Sequence, residues 1–480
     1  MSAAFALALA LQAPTFETRT LEAGPRAEAV VARDLDADGH VDLLVQSGRD
    51  LQVFRSRGGS LPAKPDQVLR LDPAAFLWTL GRLPGEARPT LLTQGTRGIQ
   101  AHRGEGPGFG PGRDLVVHPT LFEGPPSDAK PPLRQEFAPD LDRDGLSDIL
   151  LYRRDAIYIM KVQADGTAAC LQKLPIPVDV TTIVPWQPHL SIAERSAVPV
   201  LAVGDMTGDG RIDLGVYRED AVGIFRQGED GLFTGGDDHA FNSDRRKRRG
   251  PRYFQFDLPP WIADFNHDGL LDLALIFPSK GRVQVYYGRA GRADYSQPDD
   301  IMRVADGWST GVYIDDLDGD GRLDLIMGVV RKFGITEGIQ VFLSGRVDME
   351  LHIYPCGADG RFARDPVQEL KFSIPFSFQV SRESATLDLV FRPNFQGDFD
   401  GDGRRDMLVL ADARTLQIYR GVKDQLVGKE PTGAITIDPP DGTLLTEPFV
   451  ADLNGDGVSD LLLKHKLPER HVLELKLSRK

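Results

Sequence analysis

The chain is poor in cysteine and has no long apolar run. Two cysteines in 480 residues, Cys170 and Cys356, cannot staple a disulfide scaffold. They fall three repeats apart and are expected to be unpaired. No stretch reaches 18 apolar residues, so no membrane-spanning helix is expected. An HExxH pair and a phosphate-cradling glycine loop are both missing, and the nine histidines are scattered. Basic residues are outnumbered, 56 Lys and Arg against 70 Asp and Glu, a formal charge of −14. That balance gives no reason to expect nucleic acid as a partner.

What the chain does have is a repeat, and a repeat governs everything read after it. The stretch DLDGDGRLDL, Asp316 to Leu325, sets carboxylates at positions 1, 3, 5 and 9 and a glycine at 6. The same pattern occurs seven times in all. In chain order the residues at positions 1, 3, 5 and 9 begin with Asp34, Asp36, Asp38 and Asp42. Next come Asp140, Asp142, Asp144 and Asp148, then Asp205, Thr207, Asp209 and Asp213, then Asp264, Asn266, Asp268 and Asp272. Asp316, Asp318, Asp320 and Asp324 follow, then Asp398, Asp400, Asp402 and Asp406, and last Asp452, Asn454, Asp456 and Asp460.

Hard oxygen ligands at 1, 3, 5 and 9 suit a divalent cation, and the glycine permits the sharp turn. Position 7 would add a backbone carbonyl: His40, Leu146, Arg211, Leu270, Arg322, Arg404 and Val458. No histidine or cysteine side chain stands at a ligand position, which argues against zinc or copper. A carboxylate-rich oxygen shell favours Ca²⁺ over Mg²⁺, which keeps its waters. The charge count agrees. Seven Ca²⁺ would add +14 and cancel the formal −14. An EF-hand needs Glu at position 12, but Val45, Leu151, Val216, Leu275, Met327, Val409 and Leu463 stand there. Each loop instead runs into a short apolar segment such as DLLV or DLAL, which reads as a buried strand.

These loops resemble the calcium loops of FG-GAP and VCBS-type repeats. The resemblance implies a β-propeller like that of integrin α-chains, with each loop joining the first two strands of a blade. No copy continues into the Gly-Ala-Pro-like turn of integrins, so the bacterial VCBS type is the nearer likeness. Nothing matches an integrin inserted ligand-binding domain.

The first interval between loops, 106 residues, is about two repeats long. Thr90–Gln94 aligns on Asp42–Gln46 at an offset of 48, and Ile99-Gln100 on Leu51-Gln52. This copy keeps its strands, but Arg82, Pro84, Glu86 and Thr90 stand where the ligands would. The expected fold is all-β: an eight-bladed propeller of four-stranded antiparallel blades with seven calcium sites, seven blades being the alternative. The chain stops after the third strand Val472–Leu475, so Phe16–Leu21 is expected to supply the last outer strand and close the ring. The third strand of blade six is placed at Ile339–Phe342, with an insertion over 345–394. Residues 14–480 form one propeller domain in this reading. Residues 1–13 resemble a signal peptide without its basic start, which suggests export and a true start further upstream.

Loops on the face opposite the calcium loops are where binding is expected. Arg245, Arg246, Lys247, Arg248 and Arg249 could meet an acidic glycan, and Trp186 and Trp308 could stack on sugar rings. A solvated basic loop and buried structural tryptophans are the bland alternatives. The residues three before each loop (Val31, Thr79, Phe137, Ala202, Trp261, Tyr313, Phe395, Phe449) read as inter-blade packing positions. The functional expectation is a secreted or cell-surface, monomeric module that binds a protein or an acidic glycan, with structural calcium. A carbohydrate-active enzyme, such as a polysaccharide lyase on the same scaffold, and a purely structural surface protein are the alternatives.

Overall fold

The apolar segment after each loop is buried on both faces because it runs between two neighbouring blades. Every residue of Asp42–Ser47 and of Asp272–Phe277 is buried. Alternation along the strand then assigns neighbours. Leu43 and Val45 pack with Leu462, Leu473 and Leu475 of the last blade, while Leu44 packs with Trp78 and Leu91 of the second. The computed structural model describes residues 15–479 apart from 123–129, 177–178, 184–192, 198–199, 218–220, 241–259, 278–279, 293–294, 305–306, 332–333, 381–384 and 424–425.

The chain is an eight-bladed β-propeller. Blade one is Ala29–Arg33, Asp42–Ser47, Asp50–Phe54 and Gln67–Arg70, in that order from the axis outwards. Blade two, the copy without the aspartates, is Ala75–Gly81, Thr90–Gly95, Gly98–His102 and Arg113–Val117. Blade three has three strands, Ile149–Tyr152, Ile157–Val162 and Ala168–Leu174. Its entering segment Leu133–Arg134 pairs in parallel with blade two, although Leu150 N–H still reaches Phe137 O at 2.8 Å. Blade four is Val200–Gly204, Asp213–Tyr217, Ala221–Gln227 and Phe233–Ala240. Blade five is Trp261–Ala263, Asp272–Phe277, Arg282–Tyr286 and Asp300–Arg303. Blade seven is Asn394–Gly397, Asp406–Asp412, Thr415–Tyr419 and Gly433–Thr436.

Blade six departs from expectation. Ile339–Phe342 lies inside the helix Ile335–Ser344, not in a strand. Glu337 accepts from Gly334 N–H at the helix start, and Gly345 ends it at φ 64°. The third strand is Arg346–Tyr354, followed by Gln368–Val380 and a fifth strand Ala385–Leu389, after Gly307–Asp315 and Asp324–Arg331. The stretch 345–394 therefore supplies the blade's own outer strands, and the insertion is the helix.

Blade eight is Leu445–Ala451, Asp460–Lys466 and His471–Arg479, completed by Thr15–Leu21. The N-terminal strand pairs antiparallel from Thr15↔Arg479 to Leu21↔Leu473, as the missing outer strand required. Cys170 and Cys356 are both free.

Candidate functional site

All seven loops share one hydrogen-bond frame. The position-9 carboxylate accepts the N–H of position 2: Leu35 to Asp42 at 2.9 Å, Phe265 to Asp272 at 2.7 Å and Leu453 to Asp460 at 2.7 Å. The same bond forms in the other four, from Leu141, Met206, Leu317 and Phe399. The position-1 carboxylate accepts the N–H of the position-6 glycine, as Gly39 to Asp34 at 2.9 Å and Gly321 to Asp316 at 2.9 Å. Position 5 accepts from position 7, as His40 to Asp38 at 2.9 Å and Val458 to Asp456 at 2.8 Å. Those glycines all lie at positive φ, between 81° and 89°. Position 4 is left-handed too. Gly208, Gly319, Gly401 and Gly455 fill it in four loops, while Ala37, Arg143 and His267 adopt φ 59–62° in the others. The sequence pattern did not signal this second left-handed position.

The frame leaves the remaining carboxylate oxygens converging. Ligand atoms of Asp34, Asp36 and Asp42 lie within 4.8 Å of one another, as do those of Asp140, Asp142 and Asp148. The trios Asp316, Asp318, Asp320 and Asp398, Asp400, Asp406 do the same. Both carboxylate oxygens of Asp36 are buried and accept no hydrogen bond, with Arg55 as counter-charge. An oxygen-only donor set of this kind fits a hard divalent cation. Charge crowding shows in the proton affinities. Burial, reinforced by the neighbouring loop carboxylates, pushes Asp272, Asp324 and Asp406 up to about 7. Asp42, Asp148, Asp213 and Asp460 are raised for the same leading reason.

A pH effect follows. An aspartate raised in the fold holds its proton there but loses it in the unfolded chain, so the metal-free fold gains stability below the folded value. Chelator-treated protein should therefore melt higher at pH 5 than at pH 8. With saturating Ca²⁺, which needs the carboxylates ionised, that gain should shrink or reverse. Parallel melting curves across this range, with and without the ion, check both.

A second acidic group, Glu350, His352 and Glu369, is of another kind. Arg331 and Lys371 pair with Glu350 at 2.6 and 3.1 Å, and the Arg331 hydrogen bond leads in holding its carboxyl down at about 2. Glu350 already has its cations.

On the axis the inner strands of blades five to eight surround a cavity of about 680 Å³. Trp261, Tyr313, Arg392, Asn394 and Glu447 line it. Trp261 is 37% exposed, so it does not pack between blades as expected, whereas Phe137 and Phe395 do at 0 and 2%. Of the expected ligand face, Trp186 and Arg245–Arg249 lie outside the described residues. Trp308 stands in the inner strand of blade six, opposite Val330. Gly307 to Gly311 spells G-x-S-x-G, yet Ser309 is 1% exposed within that strand and donates to Gly311 O at 3.3 Å. A nucleophile elbow needs a strand-to-helix turn with an exposed serine, and this segment has neither.

The FG-GAP-like repeat family model matches residues 264–327 and 398–463, two loops in each segment. The chain thus carries FG-GAP-like repeats on an eight-bladed propeller. No curated protein matches it in sequence. Among solved structures, an Agrocybe aegerita lectin that recognises non-reducing terminal N-acetylglucosamine is 14% identical over 90% of this chain and 88% of its own, TM-score 0.46. BBS1N, solved in complex with ARL6DN, is 10% identical over 96% and 95%, TM-score 0.38. The V. cholerae biofilm matrix protein Bap1 is 14% identical over 97% and 89%, TM-score 0.27. With scores below 0.5, none of these likenesses bears on the ligand.

Proposed function

We propose that this chain is an exported, calcium-stabilised propeller that serves as a ligand-binding module. The observation that carries the calcium reading is the single hydrogen-bond frame repeated in seven loops, with carboxylate oxygens converging in those of blades one, three, six and seven. The ions are structural: each would pin the turn between the first two strands of a blade. The ligands would be the aspartates at positions 1, 5 and 9, the side chain at position 3 and the carbonyl at position 7. A closed oxygen cage on a turn leaves no evident position for a substrate.

Export suits the same reading, because loops of modest affinity fill at the millimolar calcium found outside cells. Binding would fall to two places. One is the axial cavity, where the rings of Trp261 and Tyr313 stand beside the charged Arg392 and Glu447, a mixture suited to a sugar or a peptide segment. The other is the basic stretch Arg245–Arg249, for an acidic glycan.

The test is binding of the folded chain to a glycan and matrix-protein array, in Ca²⁺ and again in EDTA. A hit that weakens in EDTA and on Trp261→Ala supports the module. A blank array from folded, calcium-loaded protein would overturn the glycan and matrix-protein reading. Turnover of a polysaccharide on the array would make it an enzyme instead.

A further inference from the structure

The blade-three loop differs from the other six. In those six, the second oxygen of the position-9 aspartate accepts a backbone N–H from a residue within two of the end of the third strand. The donors are Ser56, Gln227, Gly288, Cys356, Gly421 and Ser478, at 2.6–3.1 Å. Asp148 Oδ1 receives no such bond among the described residues. The Lys161 ammonium lies 3.6 Å from it instead. The same nitrogen is 2.9 Å from Asp144 Oδ2 and contacts Asp142 Oδ2. One ammonium thus touches positions 3, 5 and 9 of a single loop.

Strand register explains how it gets there. Ile149 pairs with Met160, so Lys161 stands across from Asp148, one step further along. The same place is held by Arg55 in blade one, Arg226 in blade four and Arg420 in blade seven. Tyr287, Pro355 and Leu477 hold it in blades five, six and eight. The arginines do not do what Lys161 does. Arg55 pairs with Asp36 at position 3, and Arg420 with Asp400 and Asp402 at 3 and 5, at 2.5 and 3.0 Å. Among the described residues no cation except Lys161 pairs with a position-9 aspartate. A compact ammonium can enter a cage that a broad planar guanidinium meets at its rim.

We propose that Lys161 is a built-in counter-ion, holding the blade-three loop in the place a divalent ion takes elsewhere, so that this loop stays metal-free while the others load. The proposal rests on the calcium reading above. An ion entering this loop would have to displace an ammonium already bound to three of its four carboxylates, and no other loop asks that of it.

The test counts calcium per chain by native mass spectrometry and by equilibrium dialysis at about 1 mM free Ca²⁺, the range where extracellular loops fill. Lys161→Met, which keeps the stem and removes the charge, should bind one more ion per chain than the parent. An unchanged count from folded variant would overturn the proposal. A second pair of variants covers a variant that fails to fold. Asp148→Asn should leave the parent count unchanged, whereas Asp324→Asn in blade six should lower it by one; equal losses from both would overturn the proposal. If the parent chain binds no calcium at all, the calcium reading itself fails, and that outcome is separate from a parent that binds with no gain in Lys161→Met.

Discussion

EDTA should lower the melting temperature by about 10 °C relative to protein in about 10 mM Ca²⁺. Each site filled at 10 to 100 times its dissociation constant contributes about 1.4–2.7 kcal/mol by linkage. Six such loops together contribute on the order of 8–16 kcal/mol if they act independently. Unfolding entropy runs at about 2.1 cal/mol/K per residue, so a chain of this length shifts by about one degree for each kcal/mol. Calorimetry in Ca²⁺, in Mg²⁺ and in EDTA checks this. A shift in Ca²⁺ that Mg²⁺ does not reproduce identifies the ion. Coincident curves would sink the calcium assignment, whatever the ligand of the propeller turns out to be.

Removing residues 15–22 should be as damaging. The strand Thr15–Leu21 covers the edge of His471–Arg479 from Leu473 to Arg479, seven residue pairs in register. Without it that edge strand presents unpaired backbone groups along its length. Leu21, 3% exposed, would leave the cluster joining blades eight and one. Lys476, itself buried against Glu474, would lose its bond to Thr18 at 2.8 Å. The truncated chain should melt at least about 10 °C lower or aggregate, since a ring opened at its seam exposes a template for another chain. Adding back a peptide of residues 15–22 should restore part of the loss. A truncated chain that melts like the parent would mean that the seam is held by the other contacts between blades one and eight.

Much of this molecule was legible in its sequence because the loop's hydrogen-bond frame fixes residue types at fixed spacing. Ten-residue loops with glycine at 6 cannot drift, and each announces the buried strand that follows. Blade two could still be found after losing its aspartates, because Thr90–Gln94 aligns on Asp42–Gln46 at a constant offset and its strand is buried in the same way. Blade six could not. The run ITEGIQVFLS reads as a strand by apolar content, yet its length and the Gly334–Glu337 start make a helix. The inner edge of blade three was equally hidden, because Leu133–Arg134 joins the preceding blade by backbone pairing alone. Lys161 escaped notice for a different reason. Its place in the blade-three loop depends on cross-strand register, and register is not written in the spacing of one segment.

One feature of the rim ties the loops to each other. Leu271 N–H donates to Asp205 O at 2.8 Å, Leu323 to Phe265 at 2.7 Å, Arg405 to Leu317 at 3.2 Å and Ser459 to Asp398 at 2.8 Å. Each bond runs from position 8 of one loop to position 1 or 2 of the loop before it, so the loops of blades four to eight form one chain of four links. The same bond joins blade three to blade two, from Ser147 N–H to Arg82 O at 2.8 Å, but blade two passes none on to blade one, since Pro89 at its position 8 has no N–H to give. The consequence is that those five loops share their fortunes. If calcium fills these loops as proposed, an ion that stiffens one would steady the acceptor of the next, and filling along this arc would be cooperative. The propeller would then have a girdle over blades four to eight that tightens as a unit, with blades two and three joined as a separate pair.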